Sequence, residues 1–172
     1  MYTAKLRLNE TEYEGKLTFE TLKNIQKILK KEFEKELTIQ DIIIALSTQD
    51  FVVISIFLIE TIKTVNKNID EKEIVKNFET DNIEKSIEKF ENIFKYITEI
   101  LEECMPKLDK SDDEFEDIIE ESKDWEFGWM QYLWETILRR NDFYSRTSKE
   151  FFEQLEIHKK ANNITDENVE EI

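Results

Sequence analysis

Glycine and proline are nearly absent from this sequence, which has two glycines and one proline among 172 residues. All-β folds need many tight turns, and these two residue types are the ones that most often form them. Their scarcity therefore argues against an all-β fold. Lys, Glu, Asp, Ile and Phe dominate instead. This composition is typical of long amphipathic helices, and it predicts a mainly α protein.

The residues that most often build catalytic and metal sites are also scarce. Cys104 is the only cysteine and His158 the only histidine. One cysteine allows no intrachain disulfide, and one histidine provides neither a His-based acid–base pair nor a Cys/His metal cluster. Gly15 and Gly128 do not make a glycine-rich phosphate loop. We therefore expect no enzymatic activity, no cofactor and no metal, and we expect Cys104 to be buried.

Basic residues are outnumbered, with 24 lysines and arginines against 40 acidic residues and a net charge of -16. An acidic surface repels phosphate backbones and anionic lipid headgroups, which argues against nucleic acid and membranes as partners. Basic protein surfaces are the natural partners of such a chain. Solubility alone is the plainer interpretation of the same charge.

The sequence lacks an uninterrupted apolar run of membrane-spanning length. The longest apolar region, Ile42–Ile59, is broken by the polar residues Ser47–Asp50. The break favours two buried helices over one membrane span. The N-terminal MYTAKLRL has no long apolar core of the kind found in signal peptides. We therefore expect a cytoplasmic protein.

The N-terminal residues alternate between apolar and polar side chains. In Tyr2–Leu8 every second residue is apolar, and the same period recurs from Tyr13 to Leu17 after the polar NETE segment. A period of two is typical of half-buried strands. The sequence therefore predicts a small β-hairpin, which must lie on the helices because two strands alone are marginally stable in water.

Helix-capping residues divide the next part of the chain. Thr18 can cap a helix whose apolar stripe consists of Phe19, Leu22, Ile25, Ile28 and Leu29. Thr38, with Asp41 three residues later, can cap a second helix, and Asp50 can cap a third over Phe51–Val65. The second and third helices are so apolar that we expect them to form the centre of the core.

Two further helices are predicted before the single proline. Ile69 and Asp70 open a short one that ends at Phe78, and the longest runs over Asp81–Met105. Its heptad seam consists of Ile83, Ile87, Phe90, Phe94, Ile97, Leu101 and Cys104. Ile93, Tyr96 and Ile100 broaden that seam, which favours packing within a bundle, with an intermolecular coiled coil as the alternative.

An acidic segment divides the chain. Residues 107–124 contain nine acidic residues and three lysines with few apolar side chains, a composition typical of a linker or a loosely held helix. We therefore predict a helical body with the hairpin over 1–106, an acidic linker over 107–124 and an aromatic-rich helical appendage over 125–172.

The appendage is predicted to be a helical hairpin rich in tryptophan. A helix over Trp125–Arg140 carries aromatic side chains on more than one face and is broken at residues 141–142. Thr147 and Glu150 then form a capping box, in which each side chain can bond the other residue's backbone N–H. The final helix is predicted over Ser148–Ala161.

Aromatic side chains are concentrated in this segment, which holds all three tryptophans. Rings on helical stripes most often belong to a core, but the isoleucine-rich helices of the body already supply one. A partner-binding surface is therefore the alternative. The candidate partner-binding residues are Trp125, Trp129, Tyr132, Trp134, Phe143, Tyr144, Phe151 and Phe152.

Several segments together carry a family resemblance. A short N-terminal segment precedes helices, LTIQDIIIALS leads into a second apolar helix, and DEKEIVKNF precedes a long helix ending at EECMPK. A Trp-rich helix follows, and then a closing aromatic–Thr–x–x–Glu–Phe segment. That segment consists of Phe143, Tyr144, Thr147, Glu150 and Phe151. In this arrangement the chain resembles the tail assembly chaperones of long-tailed phages and prophages, many of which have proline where this chain has Ser148.

The resemblance implies a non-enzymatic role in a bacterial host. Such chaperones coat the tape measure protein, keep it soluble and recruit tail tube subunits, so the implied partners are the tape measure and tail tube proteins. Self-association stays open. The alternative function is an acidic helical inhibitor that imitates nucleic acid and binds a DNA-processing enzyme. Its charge would lie on one extended face, whereas acids and lysines are interspersed along NIEKSIEKFENIFKYITEILEE, as on ordinary solvated faces.

Overall fold

A computed structural model of the protein describes residues 2–78, 82–106 and 124–162, without the side chain of Phe78. The predicted acidic linker lies outside the described residues except for Asp124. The elements are β1 (Ala4–Leu8), β2 (Thr11–Gly15), α1 (Phe19–Phe33), α2 (Ile39–Ser47), α3 (Phe51–Val65), α4 (Glu71–Phe78), α5 (Ile83–Cys104), α6 (Phe127–Tyr132) and α7 (Ser148–Ala161). The prediction of a mainly α fold with an N-terminal β-hairpin is confirmed.

The hairpin is a two-stranded antiparallel sheet in which Leu6 pairs with Tyr13. Its alternation is as predicted, with Ala4, Leu6, Leu8 and Tyr13 buried on one face. That face lies on the helices, β1 against α5 and β2 against α3. The contact removes the apolar face from water and supplies the support that an isolated hairpin lacks.

The predicted caps start their helices where expected. The Thr21 N–H donates to the Thr18 hydroxyl, and Thr38 forms a complete capping box with Asp41. The Asp50 carboxylate accepts from two N–H groups in the first turn of α3. Each cap satisfies backbone donors that the helix itself cannot bond. The helix starts therefore depend on bonds between residues that are close in the sequence.

Helix α3 lies at the centre of the core, as predicted, but only along its inner side. It packs against α1, α2 and β2, and Val53, Phe57 and Leu58 are buried there. Its outer line, which we define as Phe51, Val52, Ser55 and Ile59, is exposed or half-buried, with 59% of the Phe51 surface accessible. Helix α2 likewise exposes Ile44. Apolar composition predicted the burial of these helices but not which sides would be covered.

The predicted heptad seam of α5 is wrong over its first half. Ile83, Ile87 and Phe90 are exposed. The buried face instead includes Ile93, Tyr96, Ile97, Ile100 and Cys104, most of which the sequence placed beside or at the end of the seam. The reason is tertiary, because β1 and α7 pack on α5, and the bonds that join Cys104 to Tyr2 and Ser148 lie at its C-terminal end.

Helices α2 and α3 are separate, as the polar interruption predicted, and are bent by 112° relative to each other. Among the described residues, no single helix is long and apolar enough to cross a membrane. The bent pair meets the length and composition criteria only when its two helices are taken together.

The C-terminal segment is less regular than predicted. Helix α6 passes directly into a π-helical turn at Leu133–Ile137, and a 3₁₀ turn over Phe143–Ser145 precedes α7. Arg139 adopts a left-handed conformation with φ of 52° after the π-helical turn, so the helical path ends earlier than the break that was expected at residues 141–142. The capping box of Thr147 and Glu150 and the bounds of α7 are confirmed.

Gly15 allows the closest approach between the hairpin and the helices. A Cβ atom at this position would lie 1.8 Å from the Tyr96 hydroxyl oxygen. That hydroxyl donates to Thr61 Oγ1 at 2.7 Å, and the neighbouring Lys16 N–H donates to the Thr61 carbonyl at 3.0 Å. The end of β2, α3 and α5 therefore meet at one point that has no room for a side chain.

Substitution of the two glycines tests this packing. Gly15→Ala should lower the free energy of unfolding by about 3 kcal/mol, because a methyl group must displace the buried Tyr96 ring. Gly128→Ala is the matched control, since no atom lies within 4 Å of its added Cβ. Its free energy of unfolding should stay the same or rise by about 0.5 kcal/mol. Urea denaturation measures both, and equal losses would contradict the close approach.

Candidate interaction surfaces

A buried aromatic cluster joins the C-terminal segment to the body. We define it as Phe19, Met130, Trp134, Phe143 and Phe151. Phe19, the first residue of α1, stacks on Phe143 with ring centroids 4.2 Å apart and meets Phe151 edge-on at 5.9 Å. A residue of the body thus sits among rings of the C-terminal segment, and their burial stabilises the contact between the two.

The eight candidate residues fall into three groups by exposure. Trp134, Phe143 and Phe151 are buried in the aromatic cluster and present no surface in this conformation. Trp125, Tyr144 and Phe152 are half-buried at its edge. Trp129 and Tyr132 are exposed, with 56% and 49% of their surfaces accessible. Some rings of the segment therefore belong to the core, and the others are accessible, while partner binding by the accessible rings stays a prediction.

The exposed rings form a stacked pair, which we call the aromatic pair. Trp129 and Tyr132 lie three residues apart on α6, so they share one side of the helix. Their ring centroids are 5.3 Å apart and their planes are 16° from parallel. Met130 and Trp134 lie in the buried cluster and hold this part of the chain in place. The pair is therefore a fixed apolar projection, of the kind that anchors many protein interfaces.

Polar contacts also hold the C-terminal segment on the body. The Asp124 carboxylate accepts from the Ile39 N–H at 2.9 Å, at the start of α2, and from the Gln26 side chain at 2.6 Å. The Ser148 hydroxyl donates to the Cys104 carbonyl at 3.0 Å. These bonds place residues 124–162 directly against the body. The division into body, linker and appendage stays a prediction.

A second apolar surface, which the sequence did not reveal, lies beside α3. We call it the α3 groove: a cavity of about 550 Å³ between α1, α3 and the start of α4. Its apolar lining consists of Ile28, Phe33, Phe51, Val52, Ile56 and Ile59. The apolar sequence of α3 predicted burial in the core, whereas one side of the helix lies at the surface. The very high apolar content of that helix was the available signal.

The exposed Phe51 ring continues this surface toward α5. A smaller hollow of about 160 Å³ on the other side of Phe51 is lined by α3 and α5. The Phe51 and Phe90 rings meet edge-on there, with centroids 5.8 Å apart. Exposed apolar groups that are contiguous, and not scattered singly, are typical of interaction sites. Phe90, one of the three wrongly predicted seam residues, is thus part of this accessible surface.

The rim of the α3 groove is acidic. We use this name for the four charged lining residues Glu32, Glu60, Lys63 and Glu71, so three carboxylates oppose one ammonium group. Lys63 is held between two of them, 2.6 Å from Glu71 and 3.1 Å from Glu60. Its hydrogen bond to Glu71, supported by Glu60, raises the pKa of Lys63 and keeps it charged. Glu32 has no ion pair within the described ranges, so the rim carries a net charge of about -2.

Groups that could carry chemistry are not assembled into a site in the described part of the chain. Cys104 is fully buried, and burial raises the pKa of its thiol to about 11, so it is protonated at neutral pH. His158 lies partly exposed on α7. No group of three or more His, Cys, Asp or Glu side chains in residues 2–78, 82–106 and 124–162 could hold a metal ion.

Comparison with known proteins adds no relative. No protein-family model, curated protein or solved structure matches this chain. The resemblance to tail assembly chaperones therefore stays a prediction from the sequence segments that carry it.

Truncation of one buried and one exposed ring separates their roles. Phe151→Ala should lower the free energy of unfolding by about 3–5 kcal/mol, because it opens a cavity in the aromatic cluster. Trp129→Ala removes a larger ring from the surface and should cost less than about 1 kcal/mol. Urea denaturation of both variants checks this. A loss for Trp129→Ala as large as that for Phe151→Ala would show that the aromatic pair is structural.

Proposed function

We propose that the protein is a tail assembly chaperone of a long-tailed phage or prophage. It binds a tape measure protein in the bacterial cytoplasm and recruits tail tube subunits without catalysing a reaction. The observation that carries the proposal is the aromatic pair, two large rings held exposed and stacked on a segment that is anchored to the body. The sequence resemblance supplies the class of client.

The physical properties of the chain support this role. A tape measure protein is a long helical chain with apolar stripes, which must be shielded until the tube forms around it. The aromatic pair offers a fixed apolar anchor for such a stripe. The net charge of -16 keeps chaperone copies from aggregating with one another and attracts basic client segments.

Copurification tests the proposal. The tape measure protein from the same gene cluster, expressed with this chain, should stay soluble in a complex with several copies. Each interface should bury on the order of 1,600 Å², so a chain of this size covers only a short length of its client. Mass measurement at low and high ionic strength gives the stoichiometry. Binding should weaken as salt screens the attraction between charges.

Trp129→Ala tests the aromatic pair within the same complex. If the ring is an interface anchor, its loss should weaken client association by about 2 kcal/mol, or roughly thirtyfold. Ile157→Ala is the matched control, because Ile157 is similarly exposed on α7 and should bind like the unchanged protein. If the unchanged protein and both variants bind the client equally, the aromatic pair is not an interface anchor.

The acidic inhibitor is the competing outcome of the copurification experiment. If no tape measure or tube protein is retained, and a DNA-binding enzyme from the same host is captured tightly, the chaperone proposal is wrong. The net charge alone fits both functions. The aromatic pair favours the chaperone, because a nucleic-acid mimic presents carboxylates at its binding face.

A further inference from the structure

We propose that the α3 groove binds an amphipathic helix whose apolar stripe is flanked by lysine or arginine. This deepens the proposed function, because it assigns a second client-binding surface and states the chemistry of the segment that fills it. The groove and the aromatic pair lie on different parts of the chain, so the two surfaces can be tested separately.

The shape and lining of the groove fit a helix. The groove runs between two packed helices, α1 and α3, and side-chain ridges of a third helix pack into such a depression. Its lining is mainly apolar, and the Phe51 ring stands at one edge with 59% of its surface exposed. A helix that buries this ring would cover the largest apolar group on the outer line of α3.

The backbone around the groove argues against an extended peptide. Every lining residue belongs to α1, α3 or α4, and none to a strand. Peptides that bind in extended form usually gain their affinity by bonding to the free edge of a sheet. The groove offers no such edge. A helix satisfies its own backbone groups and needs only side-chain contacts, which this surface provides.

The charge of the rim sets the polarity of the partner. The carboxylates of Glu32, Glu60 and Glu71 outnumber the Lys63 ammonium group, which is already paired with two of them. Glu32 lies on α1, on the side of the groove away from that ion-pair network. A helix with acidic flanks would meet like charge here, whereas lysine or arginine flanks would meet opposite charge. The structure thus favours a basic amphipathic helix over an acidic one.

Designed peptides test the groove without the natural client. Two fluorescent 18-residue probes would share one leucine stripe, one with lysine and the other with glutamate on its flanks. Fluorescence anisotropy should show the lysine probe binding at least tenfold more tightly. Phe51→Ser should weaken that binding at least tenfold. Ile157→Ser is the control, since Ile157 is 58% exposed but lies on α7, and it should bind like the unchanged protein.

A charge reversal tests the rim separately. Glu32→Lys should weaken the lysine probe and strengthen the glutamate probe, because it removes one negative charge and adds a positive one. Circular dichroism should show that all three variants keep the native helix content, as expected for exposed positions.

Each outcome decides for or against the proposal. If Phe51→Ser leaves the lysine probe bound, attraction to the acidic chain alone explains binding, and the groove assignment is wrong. If no probe binds and sedimentation shows a dimer that Phe51→Ser dissociates, a second copy fills the groove and the proposal is overturned. If the lysine probe binds in the groove but copurification retains no tape measure protein, the groove assignment holds and only the chaperone function is wrong.

Discussion

The structure depends on the close approach at Gly15. A two-stranded hairpin cannot stand alone in water, and here it is held because β1 lies on α5 and β2 on α3. The Tyr96 hydroxyl reaches Thr61 through the space that Gly15 leaves free. This contact fixes two long helices on one small sheet. It also commits the inner side of α3 to the core, and its outer line, with Phe51, stays at the surface.

Phe19 joins the C-terminal segment to the body of the protein. Its ring sits among Phe143, Phe151 and Trp134, while its N–H donates to the Arg146 carbonyl at 3.0 Å. Some of the C-terminal aromatics are thereby used for anchoring, and Trp129 is held outward on the far side of a short helix. The same segment therefore has a buried side that belongs to the core and an exposed side that carries Trp129.

Local signals predicted the elements, and tertiary contacts decided their faces. The caps at Thr18, Thr38, Asp50 and Thr147 depend on residues two or three positions apart, so the helix starts could be predicted from the sequence. Burial of α5 could not, because it depends on where β1 and α7 cover that helix. An apolar stripe shows which side of a long helix can be buried. Which part of that stripe is buried depends on the elements that pack against it.

The candidate surfaces were predicted only in part for the same reason. Trp129 and Tyr132 were among the predicted residues, but nothing local separates them from the buried Trp134. Trp134 is buried because it lies in the π-helical turn at Leu133–Ile137 and belongs to the same cluster as Phe19. The α3 groove was missed because an apolar helix of this composition is normally buried all round. The groove is exposed because α1, α2 and β2 pack mainly on the inner side of α3.

Crosslinking tests most directly the central claim that the outer line of α3 is a client-binding surface. A photoreactive phenylalanine analogue would replace Phe51 in one sample and Ile157 in another, each in complex with the tape measure protein. The account predicts a crosslink from position 51 to a helical client segment rich in lysine or arginine, and little crosslinking from position 157. Equal crosslinking from the two positions, or none from position 51, would contradict it.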